Sequence, residues 1–157
     1  MKTTLSVLAL MMISAGMVFA ADKQPHWGYT GHGGPAHWSE LDQGFATCKL
    51  GKEQSPIDIR TKAVEKANLP AIQAAYKASA GELVNNGHTI QVNLEDAGTA
   101  SLSTGSYKLL QFHFHTPSEE KVNGRNFPLV AHLVHKNEAG NLAVVGVLFR
   151  SEEHTSE

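Results

Sequence analysis

Apolar and polar residues alternate through Gln111-Phe112-His113-Phe114-His115, and a second segment, Val130-Ala131-His132-Leu133-Val134-His135, interleaves two histidines with aliphatic residues. Alternation with a period of two marks a strand whose side chains i and i+2 share a face. This spacing predicts that Gln111, His113 and His115 lie on one face, with Phe112 and Phe114 on the other. On the second segment Val130, His132 and Val134 share a face, and Ala131, Leu133 and His135 take the opposite one. Leu83-Val84, Asn85-Asn86-Gly87 and His88 to Val92 read as strand, tight turn, strand, and Asn123-Gly124 gives a second hairpin signal between the histidine-bearing segments. Gln54 to Ile59 starts a short strand-like run, and Leu129 to His135 and Leu142 to Phe149 are apolar, strand-like runs. Residues 21–55 are rich in Gly, Trp, His and Pro and read as irregular and turn-rich. Residues 62–80 point both ways, since their alanines favour helix and Leu69-Pro70 interrupts it.

Composition narrows the class. The chain has 157 residues, a formal net charge of -2, 18% charged and 41% hydrophobic residues, which fits one soluble globular domain. No basic patch points to nucleic acid, and near-neutral charge gives no strong attraction to a membrane surface. Residues 1–20 read as an export signal: Lys2 supplies the positive start, Leu5 to Val18 the apolar run, and Val18-Phe19-Ala20 the cleavage site. The mature chain is expected to begin near Ala21 and to be periplasmic or secreted, without a membrane anchor. Cys48 is then an odd cysteine in an oxidising compartment, which suggests a missing partner; a buried free thiol is the alternative. No internal repeat, low-complexity tract or interdomain linker is visible.

Nine histidines in this length point to metal or proton chemistry. A pair of strand histidines alone is more often a surface or satisfied core feature. With His132 on a strand folding back alongside His113 and His115, three imidazoles can meet, and three protein ligands with one open position is the layout of a catalytic zinc. Val134, beside His132 on the same face, would put an apolar wall next to the metal.

These segments resemble an α-class carbonic anhydrase of the exported bacterial type. The resemblance runs through nearly all of residues 26–149 and rests on His26-Trp27-Gly28-Tyr29, Gly34-Pro35-Ala36-His37-Trp38, Gln54-Ser55-Pro56-Ile57-Asp58-Ile59, Asn85-Asn86-Gly87-His88, Gln111 to His115, Pro117-Ser118-Glu119 and Ala131 to His135, in family order. It implies a mainly β fold, a large, twisted, mostly antiparallel sheet with few helices, and reads part of 62–80 as extended. It implies Zn2+ held by His113, His115 and His132, His88 as proton shuttle, and Tyr29, Asn86, Gln91 and Gln111 as a polar wall holding ordered water. Val134 and Val144 match the apolar carbon dioxide pocket, and Glu119 an acid that orients a threonine hydroxyl. The implied activity is reversible hydration of carbon dioxide to bicarbonate and a proton, with ester hydrolysis as a side activity. His135 is expected to be structural, and Trp27 and Trp38 to be packing residues. A catalytically silent binding module on the same fold is the alternative, although such relatives typically lose a ligand histidine.

Two departures carry expectations of their own. Glu120 follows Glu119 where many members have histidine or a neutral residue, and Val130 stands where many place a glutamate that supports one ligand histidine. Loss of such support typically costs about 10–100-fold in metal affinity or activity, so weakened zinc binding is expected. The resemblance stops at Phe149, and residues 150–157 look like a translated sequencing adapter. Residues 21–149 are accordingly expected to be the N-terminal part of a carbonic anhydrase domain, incomplete at its C-terminus, with the disulfide partner of Cys48 and the threonine both missing. Such a piece is expected to fold poorly and to have little activity.

Overall fold

A computed structural model describes residues 26–150. The expected leader at 1–20, and residues 151–157 of the expected tail, lie outside the described residues. The chain divides into two units, one ending at Ala46 and the other starting at Thr47.

In the first unit the turn-rich composition gives short helical turns at Gly31–Gly33, Pro35–His37, Trp38–Leu41 and Gln43–Phe45. They are organised by aromatic contacts. Trp38 Nε1 donates to the carbonyls of Gly28 and Gly33 at 3.0 and 2.9 Å. The rings of Trp27, Tyr29 and Trp38 meet edge to face, with centroids 5.4–6.0 Å apart. An indole buries a large apolar body and needs a partner for its one N–H, and Trp38 has both.

The second unit is built from strands: β1 (Asp58–Ile59), β2 (Gln73–Tyr76), β3 (Gly81–Asn85), β4 (Ile90–Leu94), β5 (Gly98–Leu102), β6 (Gly105–His115), β7 (Lys121–Val122), β8 (Arg125–Asn126), β9 (Leu129–Lys136) and β10 (Leu142–Phe149). The main sheet runs β10-β9-β6-β4-β3, and β5 joins β6 to β2. All its pairings are antiparallel. A small sheet of β1, β7 and β8 includes the parallel pair β1–β7.

Both hairpin signals form. Asn123 and Gly124 have φ of 52° and 80°, the two positive values that a two-residue turn between right-twisted strands requires. In the turn between β3 and β4, Asn86 Oδ1 accepts from the backbone N–H groups of His88 and Thr89 at 3.0 and 2.9 Å. The Ala-rich region does not become a helix: residues 64–72 have no regular structure and Gln73–Tyr76 pair with β5 as β2. Pro70 removes an N–H that a helix would use, and tertiary pairing outweighs alanine's modest propensity.

One face of the sheet carries the core, where Ala97, Ala100, Tyr107, Leu109 and Ala131 are buried. His135 is fully buried with them, its Nε2 2.8 Å from the Tyr76 hydroxyl and its ring stacked on that tyrosine, as befits a structural histidine. β10 ends the sheet order and exposes Leu142, Val144, Val147 and Phe149. Cys48 is exposed on the helical turn Thr47–Leu50, so it is not the buried thiol that was the alternative to a disulfide.

Glycine is required where β5 approaches β2. Gly98 has φ +92°, and a Cβ there would overlap the Ala75 carbonyl oxygen, whereas Gly124 at φ +80° faces open space. Gly124→Ala is expected to cost about 1–2 kcal/mol for the left-handed backbone alone. Gly98→Ala adds the overlap and should cost clearly more. Urea unfolding of the two variants checks this, and equal midpoints would contradict the close approach.

Candidate metal centre

Antiparallel pairing of β6 with β9 places His113 directly opposite His132, with His115 opposite Val130 on the same face. Ring centroids are 5.0 Å apart for His113 and His115, 5.3 Å for His113 and His132, and 4.9 Å for His115 and His132. One ring nitrogen from each lies within 4.8 Å of the others, close enough to share one cation.

Hydrogen bonds to the ring nitrogens choose the ligand atoms. His113 Nδ1 is 2.9 Å from Gln111 Oε1. An amide oxygen only accepts, so Nδ1 carries the proton and Nε2 keeps its lone pair. His132 is held the other way round: its Nε2 lies 2.6 Å from Glu120 Oε1, which leaves Nδ1 for an ion. Glu119 Oε2 sits 3.2 Å from His115 Nε2 and 3.7 Å from His132 Nδ1.

The electrostatics favour neutral rings. Burial, then the neighbouring His132, push His113 below the usual imidazole range. His115 is pushed down to about 4 by burial first, then by His132 and His113, against a smaller upward pull from Glu120. Burial raises the Glu119 carboxyl, His132 opposes the rise, and Glu120 adds to it. A metal ligand must offer a lone pair, and this cluster keeps those of His113 and His115 available at neutral pH.

The other predicted residues fall into place unevenly. Gln91 of β4 is opposite His113 on β6, with its amide bonded to Asn93 Oδ1 at 2.6 Å. Asn86 and His88 are on the β3–β4 turn, where the Asn86 oxygen serves the turn backbone. Val134 pairs with Val144 of β10 and with Gln111 of β6, so both valines are on the histidine face. Gln111, expected in a water-holding wall, also holds His113 through its side-chain oxygen. Tyr29 belongs to the first unit, where it meets Trp27 and Trp38 edge to face. The Glu120–His132 contact had no signal in the periodicity, because Glu120 lies in the short connection before β7.

The family model for eukaryotic-type carbonic anhydrase matches residues 33–157. A carbonic anhydrase of Pectobacterium carotovorum is 43% identical over 150 residues, spanning 96% of this chain and 60% of the relative. One of Neisseria gonorrhoeae is 43% identical over 148 residues, spanning 94% and 58%. Among solved structures, the α-carbonic anhydrase from Thermovibrio ammonificans in complex with the inhibitor sulfanilamide aligns with a TM-score of 0.74 at 44% identity, covering 81% of this chain and 56% of that one. The chain thus spans about three fifths of the length of the curated relatives it matches. Among the described residues no helix is long and apolar enough to cross a membrane.

The lowered histidine values set a pH dependence. Above about pH 6.5 these rings are neutral in both the folded and unfolded chain. As pH falls from there towards 4, the unfolded chain takes up protons that folded His113 and His115 resist, so stability falls with pH. The urea midpoint of the chelator-treated protein is expected to drop between pH 7 and 5, with a shallower drop in His115→Gln. An equal slope in the variant would contradict the assignment.

Proposed function

Because the chain belongs to the eukaryotic-type, or α, carbonic anhydrase family, we propose that it acts as a zinc enzyme interconverting carbon dioxide with bicarbonate and a proton. The observation that carries this reading is the convergence of His113, His115 and His132, all retained and all able to offer a nitrogen to one ion. The donor set fits zinc: three borderline imidazole nitrogens, two of them held neutral by burial, with hydrogen bonds that fix the tautomers of His113 and His132. When bound, zinc in such a site lowers the pKa of its water ligand to about 7, the value known for carbonic anhydrase itself.

The remaining steps fall to the chain's own residues. Val134 and Val144 present an apolar surface on the histidine face, suited to a small uncharged substrate. His88, on the turn between β3 and β4, relays the released proton to solvent. Gln91 and Asn86 hold water for that relay. Glu119 Oε2, 3.2 Å from His115 Nε2 and 3.7 Å from His132 Nδ1, stands where the family resemblance puts an acid that orients a threonine hydroxyl. The apolar run from Leu5 to Val18 and the small residues before Ala21 support export to the periplasm or beyond.

The protein is expected to bind one zinc per chain by metal analysis, with His113→Ala abolishing both stoichiometric zinc and carbon dioxide hydration. His88→Ala should keep the zinc and slow hydration in weak buffer by up to about 100-fold, with recovery on adding imidazole. Zinc bound at one per chain without any hydration would favour a silent module.

A further inference from the structure

His132 lacks help from its own strand. Two residues away on the same face is Val130, fully buried and apolar, so β9 offers no acceptor to hold the ring. A carboxylate arrives from elsewhere: Glu120 Oε1 lies 2.6 Å from His132 Nε2, with the two side chains only 21% and 6% exposed. We propose that Glu120 is the positioning residue that fixes His132 with Nδ1 turned to the metal, replacing a support that position 130 cannot give. The proposal rests on the zinc reading above.

Two further features favour a built contact. The first is the anchoring of the connection that carries Glu120. Ser118 is 1% exposed, and its hydroxyl donates to the Glu120 carbonyl at 2.6 Å while accepting from Phe127 N–H at 2.8 Å. The Ser118 backbone is tied as well, its N–H to the Phe127 carbonyl at 2.9 Å and its carbonyl to Asn126 Nδ2 at 2.6 Å. Lys121 N–H donates to the Ile57 carbonyl at 3.1 Å, so the backbone is held on both sides of Glu120.

The second is space. Residue 146 of β10 pairs with His132, and it is glycine. A Cβ there would lie 3.4 Å from Glu120 Oε1 and 3.8 Å from the His132 ring, so a branched side chain at 146 would compete for the volume the carboxylate uses. Glu120 Oε2, by contrast, is buried with no hydrogen-bond partner among the described residues. A half-satisfied buried carboxylate is a poor stabiliser of the fold, which argues that its value is in orienting the ring.

A ring nitrogen that donates to a carboxylate is committed as N–H, and the other nitrogen is left with its lone pair in a fixed direction. Losing such a partner typically costs about 10–100-fold in metal affinity. The test compares zinc dissociation constants, by chelator competition, for wild type, Glu120→Ala and Glu120→Gln, with the imidazole tautomer of His132 read by nitrogen NMR on the zinc-loaded wild type. The expected result is about 10–100-fold weaker zinc binding in Glu120→Ala, a smaller loss in Glu120→Gln, which keeps an acceptor, and a His132 proton on Nε2. The urea midpoint of metal-free Glu120→Gln, which keeps an acceptor for the ring N–H, should move little, so that its loss of zinc affinity reads orientation and not simple stability. Tight wild-type zinc binding that Glu120→Ala leaves unchanged would overturn the role of Glu120 alone. A wild type that binds no zinc would overturn the metal reading and this proposal with it. Should Glu120→Ala fail to fold, the wild-type tautomer decides: a proton on Nδ1 of His132 contradicts the proposal.

Discussion

The register of β6 against β9 decides which side chains can meet, and every other feature of the site depends on it. Pairing by a period of two means that a slip of one residue exchanges the faces of a strand. Leu109 is opposite His135 on the core face, yet Gln111 is opposite Val134 on the other, so a bulge absorbs Leu110 between them. Without it the register from Leu109 would continue to place Phe112 against His132. His113 and His115 would then face the core, and the three imidazoles would never share a side. One extra residue thus separates a sheet with two buried histidines from a sheet with a metal centre.

Once the faces are set, chemistry follows from partners and burial. The side-chain oxygens of Gln111 and Glu120 each take one ring N–H, on His113 and His132. These bonds point one lone pair per ring towards a common region, and desolvation keeps His113 and His115 from protonating at neutral pH. The opposite face uses the same residue type for another end, since His135 is bonded to Tyr76 within the core. Histidine on this sheet is therefore a ligand or a core residue according to the parity of its position.

Much of this was legible in the chain. Alternation around 111–115 and 130–135 gave the faces, Asn-Gly gave the 123–124 turn, and the motifs in family order gave the fold. What stayed hidden was non-local or phase-dependent. The alternation of Tyr107 and Leu109 faces the core, and that of Gln111 to His115 faces the site; no local pattern marks the switch between them. β2 is exposed along its length and owes its strand form to pairing with β5, so the alanines around it suggested helix. Glu120 reads as an ordinary polar residue in a short connection, and only the fold brings it to His132. Position 130, read by itself, suggests a weakened site, because the carboxylate that reaches His132 is ten residues earlier, in the connection before β7.

The most direct test of the account is X-ray absorption at the zinc edge of the protein loaded with one equivalent of the metal. The account predicts three imidazole nitrogens at about 2.0–2.1 Å with a light fourth ligand and no sulfur. A first shell with fewer than three imidazoles, or one containing the Cys48 sulfur, would contradict it.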